Sequence, residues 1–287
     1  MATAPTIGPA LEQFGVLGGQ TVTNTGLTTV SCEVGVSPGS AITGFPPGTA
    51  ESFHAADVLA GQAQLDLTAA YNDAAGQPCN TDLTGQDLGG MILTPGVYCF
   101  DTSAQLTGNL TLNGNGVYIF QIGSTLTTDS GSTVTLINGA QPGNVFWQVG
   151  SSATLGTTTQ FVGNIFALTS ITATTGATVN GRLLARNGSV TLDSNIITCP
   201  LAPTPIPSIR RKRKRGAFAF PPSFCERRMC YDEYNRQVPC DGTNRNFIPC
   251  PQEIRYPSQQ GMIYVKYSED DRQCCYRLIP ISNNNYR

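Results

Sequence analysis

A short pattern of apolar residues followed by Ser and Thr returns four times between residues 116 and 198. Each copy opens on glycine and continues through an apolar stretch such as Val145-Phe-Trp. The copies begin at Gly116, Gly143, Gly163 and Gly181, so the intervals are 27, 20 and 18 residues. Recurrence at about 20 residues, in β-branched residues with Gly and Asn at the turns, is typical of a β-solenoid, in which each coil buries its apolar side against the next. The longer first interval predicts a loop at residues 139–143.

Residues 50–75 carry the one pattern that favours an α-helix. The stretch is rich in Ala, the strongest helix former, and Gly76 is the expected stop. In strands such as Val117-Tyr-Ile-Phe both alternating sets of side chains are apolar, so both faces need cover. We therefore predict that the helix lies along one wall of the solenoid. Its apolar stripe is predicted to consist of Phe53, Val58, Leu65 and Tyr71, with Ala55, Ala56 and Ala69.

Charge and cysteine content divide the chain in two. Residues 1–200 hold 11 acidic residues, two arginines and no lysine, a net charge of −9, whereas residues 201–287 hold 15 basic and 8 acidic residues, a net charge of +7. Six of the ten cysteines also lie in the last 63 residues. We therefore predict a mainly β solenoid domain over 1–200, a Pro-rich and basic linker over 201–216, and a small Cys-rich module over 217–287.

The cysteines predict disulfides rather than metal binding. The tail has no Cys-x2-Cys spacing, so a disulfide framework is favoured over a zinc site, and we predict neither a metal nor a cofactor. Cys32 and Cys99 flank the helical insertion and are predicted to bond to each other. Six tail cysteines allow 15 pairings, which the sequence does not distinguish. They are Cys225, Cys230, Cys240, Cys250, Cys274 and Cys275.

Disulfides require an oxidising location, which we expect to be extracellular or on a particle surface. The N-terminus has neither the basic segment nor the apolar segment of a signal peptide. No apolar run is long enough to span a membrane, so no membrane span is predicted.

Few residues of the chain suggest catalysis. Its one histidine, His54, is expected to cap or pack at the start of the helix. Nucleotide-binding loops are absent, and the acidic residues of the first region are scattered rather than paired. We therefore predict that the protein is not an enzyme.

A run of six basic residues follows the Pro-rich segment, and three interpretations of it stay open. It is a cleavage site for a basic-residue protease, an electrostatic contact to a polyanion or an acidic protein, or a solvated linker without a partner. The run consists of Arg210, Arg211, Lys212, Arg213, Lys214 and Arg215.

Several stretches of the first region match a known family in order. They include Thr21-Val-Thr-Asn-Thr-Gly, His54-Ala-Ala-Asp, Leu93-Thr-Pro-Gly-Val-Tyr, Asn144-Val-Phe-Trp-Gln-Val-Gly-Ser-Ser and Gly181-Arg-Leu-Leu-Ala-Arg-Asn-Gly. In these stretches the chain resembles the microbial ice-binding protein family, the β-solenoid antifreeze proteins of cold-adapted bacteria, fungi and diatoms. The resemblance implies a right-handed solenoid of triangular cross-section with a flanking helix, and it does not extend past Cys199.

The resemblance also implies a site, namely a flat outer sheet with a loose Thr-x-x-Thr/Asn pattern in each coil. Coils stack about 4.8 Å apart, near the oxygen spacing of ice, and Thr combines a stiff χ1 with a methyl and a hydroxyl group. Such a sheet would adsorb to an ice surface or to ordered water. Aligning the four copies gives the candidate pairs Thr127 and Ser130, Thr154 and Thr157, Thr172 and Thr175, and Thr191 and Ser194.

Three observations count against this set. Two of the second positions are Ser, which lacks the methyl group, and Asp129 and Asp193 lie within the pattern. Residues at i and i+3 of a straight strand also face opposite sides. The alternative is that these residues only fill β positions and turns, as in any solenoid.

Two functions are left open. The first is non-enzymatic ice binding, with Thr154, Thr157, Thr172 and Thr175 as the leading contacts. The second is a structural or adhesive surface protein, for example a virion component, in which the solenoid is a rigid scaffold and the basic, Cys-rich tail attaches it. The charge difference between the two regions favours the second function, and the oligomeric state is left open.

Overall fold

The computed structural model describes residues 2–200 and, in the C-terminal part, only strand residues 223–227, 229–231, 237–239, 253–254, 262–269 and 273–280. The chain forms two compact units, Met1–Pro207 and Ser208–Arg287.

The first unit is mainly β, with one α-helix, α1 (Val58–Ala75), and two 3-10 turns, Leu11–Gln13 and Pro142–Asn144. The second turn falls in the loop that was predicted at residues 139–143. The strands of this unit, in chain order, are β1 (Phe14–Gly18), β2 (Thr21–Thr25), β3 (Thr29–Val30), β4 (Glu33–Val36), β5 (Ala41–Thr43), β6 (Phe53–Ala55), β7 (Thr81–Asp82), β8 (Ile92–Leu93), β9 (Gly96–Phe100), β10 (Ala104–Leu106), β11 (Asn109–Asn113), β12 (Tyr118–Ile122), β13 (Leu126–Thr128), β14 (Thr133–Ile137), β15 (Val145–Val149), β16 (Ala153–Leu155), β17 (Gln160–Ala167), β18 (Ile171–Ala173), β19 (Thr178–Ala185), β20 (Val190–Asp193) and β21 (Ile196–Thr198).

These strands pair in parallel, because each coil of the chain winds in the same direction as the one before it. A 14-stranded sheet has the main order β6-β4-β1-β19-β17-β15-β12-β9-β7, and a seven-stranded sheet has the order β10-β13-β16-β18-β20-β2-β5. One coil, for example β12, β13 and β14, contributes to both sheets. Its β12 and β13 pair with β15 and β16 of the next coil over their whole lengths.

The first coil of the chain does not lie at one end of the stack. Strand β1 lies between β4 and β19, and β2 lies between β5 and β20. The first coil therefore stacks on the last one, and we call this contact, formed by the pairs β1–β19, β2–β20 and β3–β21, the seam.

Large apolar side chains fill the interior in register. Phe120, Trp147, Ile165 and Leu183 are backbone partners in successive coils, and the rings of Phe120 and Trp147 stack with their centroids 3.9 Å apart. Between the second and third copies of the repeat the structural offset is 18 residues, because Asn164 pairs with Phe146. The 20-residue interval read from the glycines is therefore two residues too long at this step.

Helix α1 covers the other face of strands β9, β12, β15, β17 and β19, as predicted. Its buried side packs in one cluster with an outward row of strand residues, Val97, Ile119, Phe146, Phe166 and Leu184. Gln121 of β12 reinforces the contact, because its amide nitrogen donates to the carbonyl oxygens of Ala74 and Gln77, each at 2.8 Å. The helix is therefore fixed to the strands by both apolar contact and hydrogen bonds.

The predicted start and apolar stripe of this helix are wrong. Residues 53–55 form β6, which pairs with β4, so the helix begins only at Val58 with Asp57 as its N-cap. Val58 and Leu65 are 90% and 66% exposed. The buried side consists of Ala60, Ala63, Leu67, Ala70, Tyr71 and Ala74, of which only Tyr71 was predicted. The small alanines allow the helix to lie close to the strands.

The predicted bond between Cys32 and Cys99 is also wrong. Cys32 is bonded to Cys199, and Cys99 to Cys79, with Cα atoms 6.3 Å and 6.0 Å apart. Cys32 precedes β4 and Cys99 lies on β9, and five strands separate β4 from β9 in the sheet. At about 4.8 Å per strand the two are about 29 Å apart, far beyond the reach of a disulfide.

In the second unit the described strands pair in an antiparallel manner. Strands β22 (Ser223–Arg227), β25 (Glu253–Ile254), β26 (Met262–Glu269) and β27 (Gln273–Pro280) form a sheet of order β22-β27-β26-β25, and β23 (Met229–Tyr231) pairs with β24 (Gln237–Pro239). The linker over 201–216, the basic run 210–215 and the predicted bonds of the tail cysteines lie outside the described residues.

Candidate functional site

The seven short strands of the second sheet present one central column of outward side chains. Six of the strands place a residue outward between two buried ones, and Thr43 of β5 continues the column opposite Thr23. The register joins all seven without a shift. In spatial order the column is Gln105, Thr127, Thr154, Thr172, Thr191, Thr23 and Thr43. We call the outward surface of this sheet the threonine face.

The structure thus brings together Thr127, Thr154, Thr172 and Thr191, the first members of the four predicted pairs. Thr23 and Thr43 were missed, because they belong to N-terminal coils that stack on β20 across the seam. The alternation in Thr21-Val-Thr-Asn-Thr indicates a strand of the same kind. Nothing in the linear order, however, indicates that Thr23 pairs with Thr191, 168 residues away.

A second hydroxyl column runs beside the central one, two residues earlier in each coil. Ser103 and Thr125 share a hydrogen bond of 2.8 Å, and the Thr21 hydroxyl donates to Ser189 at 2.8 Å. The column consists of Ser103, Thr125, Ser152, Ser170, Ser189 and Thr21. None of these residues was predicted as a site residue, since small residues at turns are common in any β-protein.

The central threonines make few hydrogen bonds to protein. Among the described residues, the one such contact between their hydroxyl groups joins Thr23 and Thr191, with the oxygens 3.4 Å apart. Thr127, Thr154, Thr191 and Thr43 are exposed. Their hydroxyl groups are therefore available to water.

The second members of the predicted pairs lie at the corner beyond the strand ends. Backbone amides of Gly131 and Thr158 donate to the carbonyl oxygens of Thr157 and Thr175, at 2.8 and 3.0 Å, which stacks Ser130, Thr157 and Thr175 at the turn. In the next coil Asp193 accepts the equivalent bond from Gly176 at 3.0 Å. Asp193 takes the place expected for Ser194, which has turned away with a φ of 53°.

Carboxylates border the threonine face along this corner. Asp193 accepts hydrogen bonds from the hydroxyls of Thr175 and Ser194, and Asp129 accepts one from Thr107 at 3.3 Å. These interactions hold both charges at the edge of the face rather than in its central column.

Asp87 continues the central column at the far end, opposite Gln105. Burial pushes the pKa of Asp87 upward, but hydrogen bonds from Thr107 and from the Gly89 amide outweigh this effect and lower the pKa. The uncharged part of the column therefore begins at Gln105.

His54 lies on β6 rather than at the start of the helix, and its contacts resemble those of a hydrolase triad. Its Nε2 is 2.9 Å from the Ser52 hydroxyl and its Nδ1 is 2.7 Å from the Asp57 carboxylate. Asp57, however, also accepts the Ala60 amide at 2.9 Å as the N-cap of α1. The backbone hydrogen bond from Ala60 is the main cause that lowers the pKa of Asp57.

A Glu33 carboxylate oxygen lies 3.4 Å from His54 Nε2, beside the Ser52 hydroxyl. A negative charge there would oppose the anion that acyl transfer builds at a serine. The arrangement is thus a helix cap that ties β4 and β6 to α1, which agrees with the capping or packing role expected of His54.

Other kinds of site are less well developed. Within residues 2–200, no three His, Cys, Asp or Glu side chains are grouped so as to hold a metal ion. The described helix is too polar to cross a bilayer. A cavity of about 310 Å³ opens between β14 and β17, which part after the pair Thr133–Gln160. It is lined by uncharged residues of β14, β17, β19 and β21.

Comparison with known proteins agrees with this architecture. The family model described as Ice-binding-like matches residues 16–198. An ice-binding protein of Nostoc sp. (strain HG1) is 56% identical over 193 residues, which cover 65% of this chain and 71% of the relative. The crystal structure of an ice binding protein from an Antarctic biological consortium superposes with a TM-score of 0.68 at 44% identity, covering 70% of this chain and 93% of the other. An ice-binding protein from the Antarctic ascomycete Antarctomyces psychrotrophicus gives a TM-score of 0.67 at 41% identity, covering 70% and 100%. The chain belongs to the ice-binding-like family.

Proposed function

We propose that this protein binds ice through the threonine face and has no enzymatic activity, and that its coils form a right-handed β-solenoid of triangular cross-section. The observation that supports the site best is the central column, in which six threonines follow one another on adjacent parallel strands without a register shift. The relatives support the ligand, because both the sequence relative and the superposed structures are named for ice binding.

Repetition makes this surface suited to a crystal. Adjacent strands are about 4.8 Å apart, so the seven residues from Gln105 to Thr43 extend over about 29 Å. The hydroxyl column beside them is two residues away along each strand, about 6.7 Å. The face therefore offers a two-dimensional grid of small polar and methyl groups. A periodic surface can contact many ordered waters at once, although each contact is weak.

Rigidity favours the same interpretation. Thr has a stiff χ1, so little side-chain entropy is lost when it binds. The strands that carry the column are fixed from inside by buried neighbours such as Leu155, Ile171 and Val190. The charged groups Asp129 and Asp193 are hydrogen-bonded at the border. A water layer over the centre of the face meets no charge.

The two disulfides of the first unit and the ice-binding relatives favour an extracellular location. The alternative of a structural or adhesive surface protein stays a prediction, since it rests on the tail and on the basic run outside the described residues. The same holds for a polyanion or acidic protein as a partner of that run.

Thermal hysteresis of the full chain tests the proposal. Wild type should depress the freezing point below the melting point, and the double variant Thr154→Tyr with Thr172→Tyr should lose most of this activity, because two bulky rings interrupt the column. Thr135→Tyr is the matched control, since Thr135 is exposed on β14, away from the threonine face. Equal activity in the double variant and the control would refute the assignment of the face, and no hysteresis in wild type would refute ice binding.

A further inference from the structure

The threonine face is assembled from two parts of the chain that are far apart in sequence. Four of its central threonines, Thr127 to Thr191, come from consecutive coils. Thr23 and Thr43 come from the N-terminal coils and reach the face only because β2 pairs with β20. Two of the six threonine rungs therefore depend on the seam.

Hydrogen bonds hold the seam along each side of the coil. The amides of Gly19 and Gln20 donate to the Gly188 carbonyl at 2.8 and 3.0 Å, and the Ser194 amide donates to Thr25 at 2.8 Å. On the remaining side the Ser31 amide donates to Ile197 at 2.9 Å. The backbone pairing is thus of the same kind as between other coils.

The seam differs from other coil contacts in its chain connection. Elsewhere, from β9 to β21, neighbouring coils are joined directly by the chain, so that separating them strains a short connection. Across the seam the paired residues are 168 positions apart. Contacts of this kind, made by an end segment of the chain, are where local opening is cheapest. A covalent bond at this place has a larger effect than one inside a coil.

The Cys32–Cys199 disulfide is that bond. Cys32 follows β3 and Cys199 follows β21, so the bond links the two strands that meet at the seam. Both sulfur atoms lie against Gly15 of β1, where a β-carbon would collide with them. The Cys199 amide also donates to the Ser31 hydroxyl at 3.0 Å. The disulfide is therefore packed into the seam and not appended to it.

We infer that the Cys32–Cys199 disulfide regulates the length of the threonine face, an inference that rests on the proposed ice binding. With the bond formed, all six threonine rungs stay in register. With the bond open, the N-terminal coils separate from β20 more often, and the face that ice meets shortens to four threonine rungs. A dithiol reductant opens the bond by thiol–disulfide exchange, in which its two sulfurs become a disulfide and the two cysteines become thiols.

The test compares two double variants of the full chain, Cys32→Ser with Cys199→Ser and, as control, Cys79→Ser with Cys99→Ser. The control bond joins residues only 20 positions apart at the other end of the stack. Hydrogen–deuterium exchange reports opening of the seam, and thermal hysteresis reports the face. In the seam variant the amides of residues 19–31 should exchange at least about tenfold faster, and hysteresis should fall to about half or less. The control should change neither.

Two results would overturn the inference: unchanged exchange at the seam, or faster exchange with undiminished hysteresis. If wild type shows no hysteresis, the proposed function fails, whereas the exchange measurement still reports on the seam. Should the seam variant not fold, Thr23→Tyr with Thr43→Tyr in the oxidised chain replaces it. A loss of hysteresis in this variant would support a face that extends across the seam, and full activity would contradict it.

Discussion

Replacing Leu67 of helix α1 by alanine should lower the free energy of unfolding by about 2–5 kcal/mol. Leu67 is fully buried, and apart from Tyr71 the other buried residues of this helix are alanines. Leu67 therefore fills much of the space between the helix and the strands that carry Phe146 and Phe166. The substitution removes three carbon atoms, about 2.4 kcal/mol of transfer free energy at about 0.8 kcal/mol each. The cavity that remains adds to this loss.

Urea unfolding, followed by the fluorescence of Trp147, measures the effect. Leu65→Ala is the matched control, because Leu65 lies on the same helix but is 66% exposed. It should change stability by less than about 0.5 kcal/mol. Equal losses in the two variants, or a larger loss for Leu65, would refute the account in which the helix covers the strands through its alanine-rich side.

Three further predictions concern the cap and the disulfides. Asp57→Ala should destabilise the protein by about 1 kcal/mol in the same assay, because the Ala60 amide loses its acceptor. The lowered pKa of Asp57 gives a stabilisation that is present above about pH 4 and lost as pH falls through the folded-state value; the unfolding midpoint of Asp57→Asn should therefore fall less on acidification than that of wild type. Removing the Cys32–Cys199 bond should cost about 5 kcal/mol and removing Cys79–Cys99 about 3 kcal/mol, since their loops differ in length, and calorimetry of the two double variants would show the order reversed if loop closure does not govern their effect.

Periodic features of this fold could be predicted from the sequence. Strands such as Val145–Val149 are apolar on both faces, and this pattern alone required a cover, which α1 supplies. The central residues Thr127, Thr154 and Thr172 could be aligned because their coils follow one another directly. Local alternation and repeat length are properties of adjacent residues, and they survive folding unchanged.

Features that depend on distant contacts could not be predicted. The pairing of Cys32 with Cys199 follows from the seam, which joins the two ends of the first unit. The same seam adds Thr23 and Thr43 to the threonine face. Residues 53–55 resemble a helix locally, but pairing with β4 makes them a strand, and this moves the apolar stripe of α1 from Leu65 to Leu67.

The central claim is that ice contacts the column of aligned threonines. Growing a single ice crystal in a solution of fluorescently labelled protein tests it most directly. Wild type should concentrate on defined planes of the crystal, whereas Thr154→Tyr with Thr172→Tyr, folded as judged by circular dichroism, should be excluded from the ice. If the folded double variant labels the same planes as wild type with equal intensity, ice is bound elsewhere and the claim is wrong.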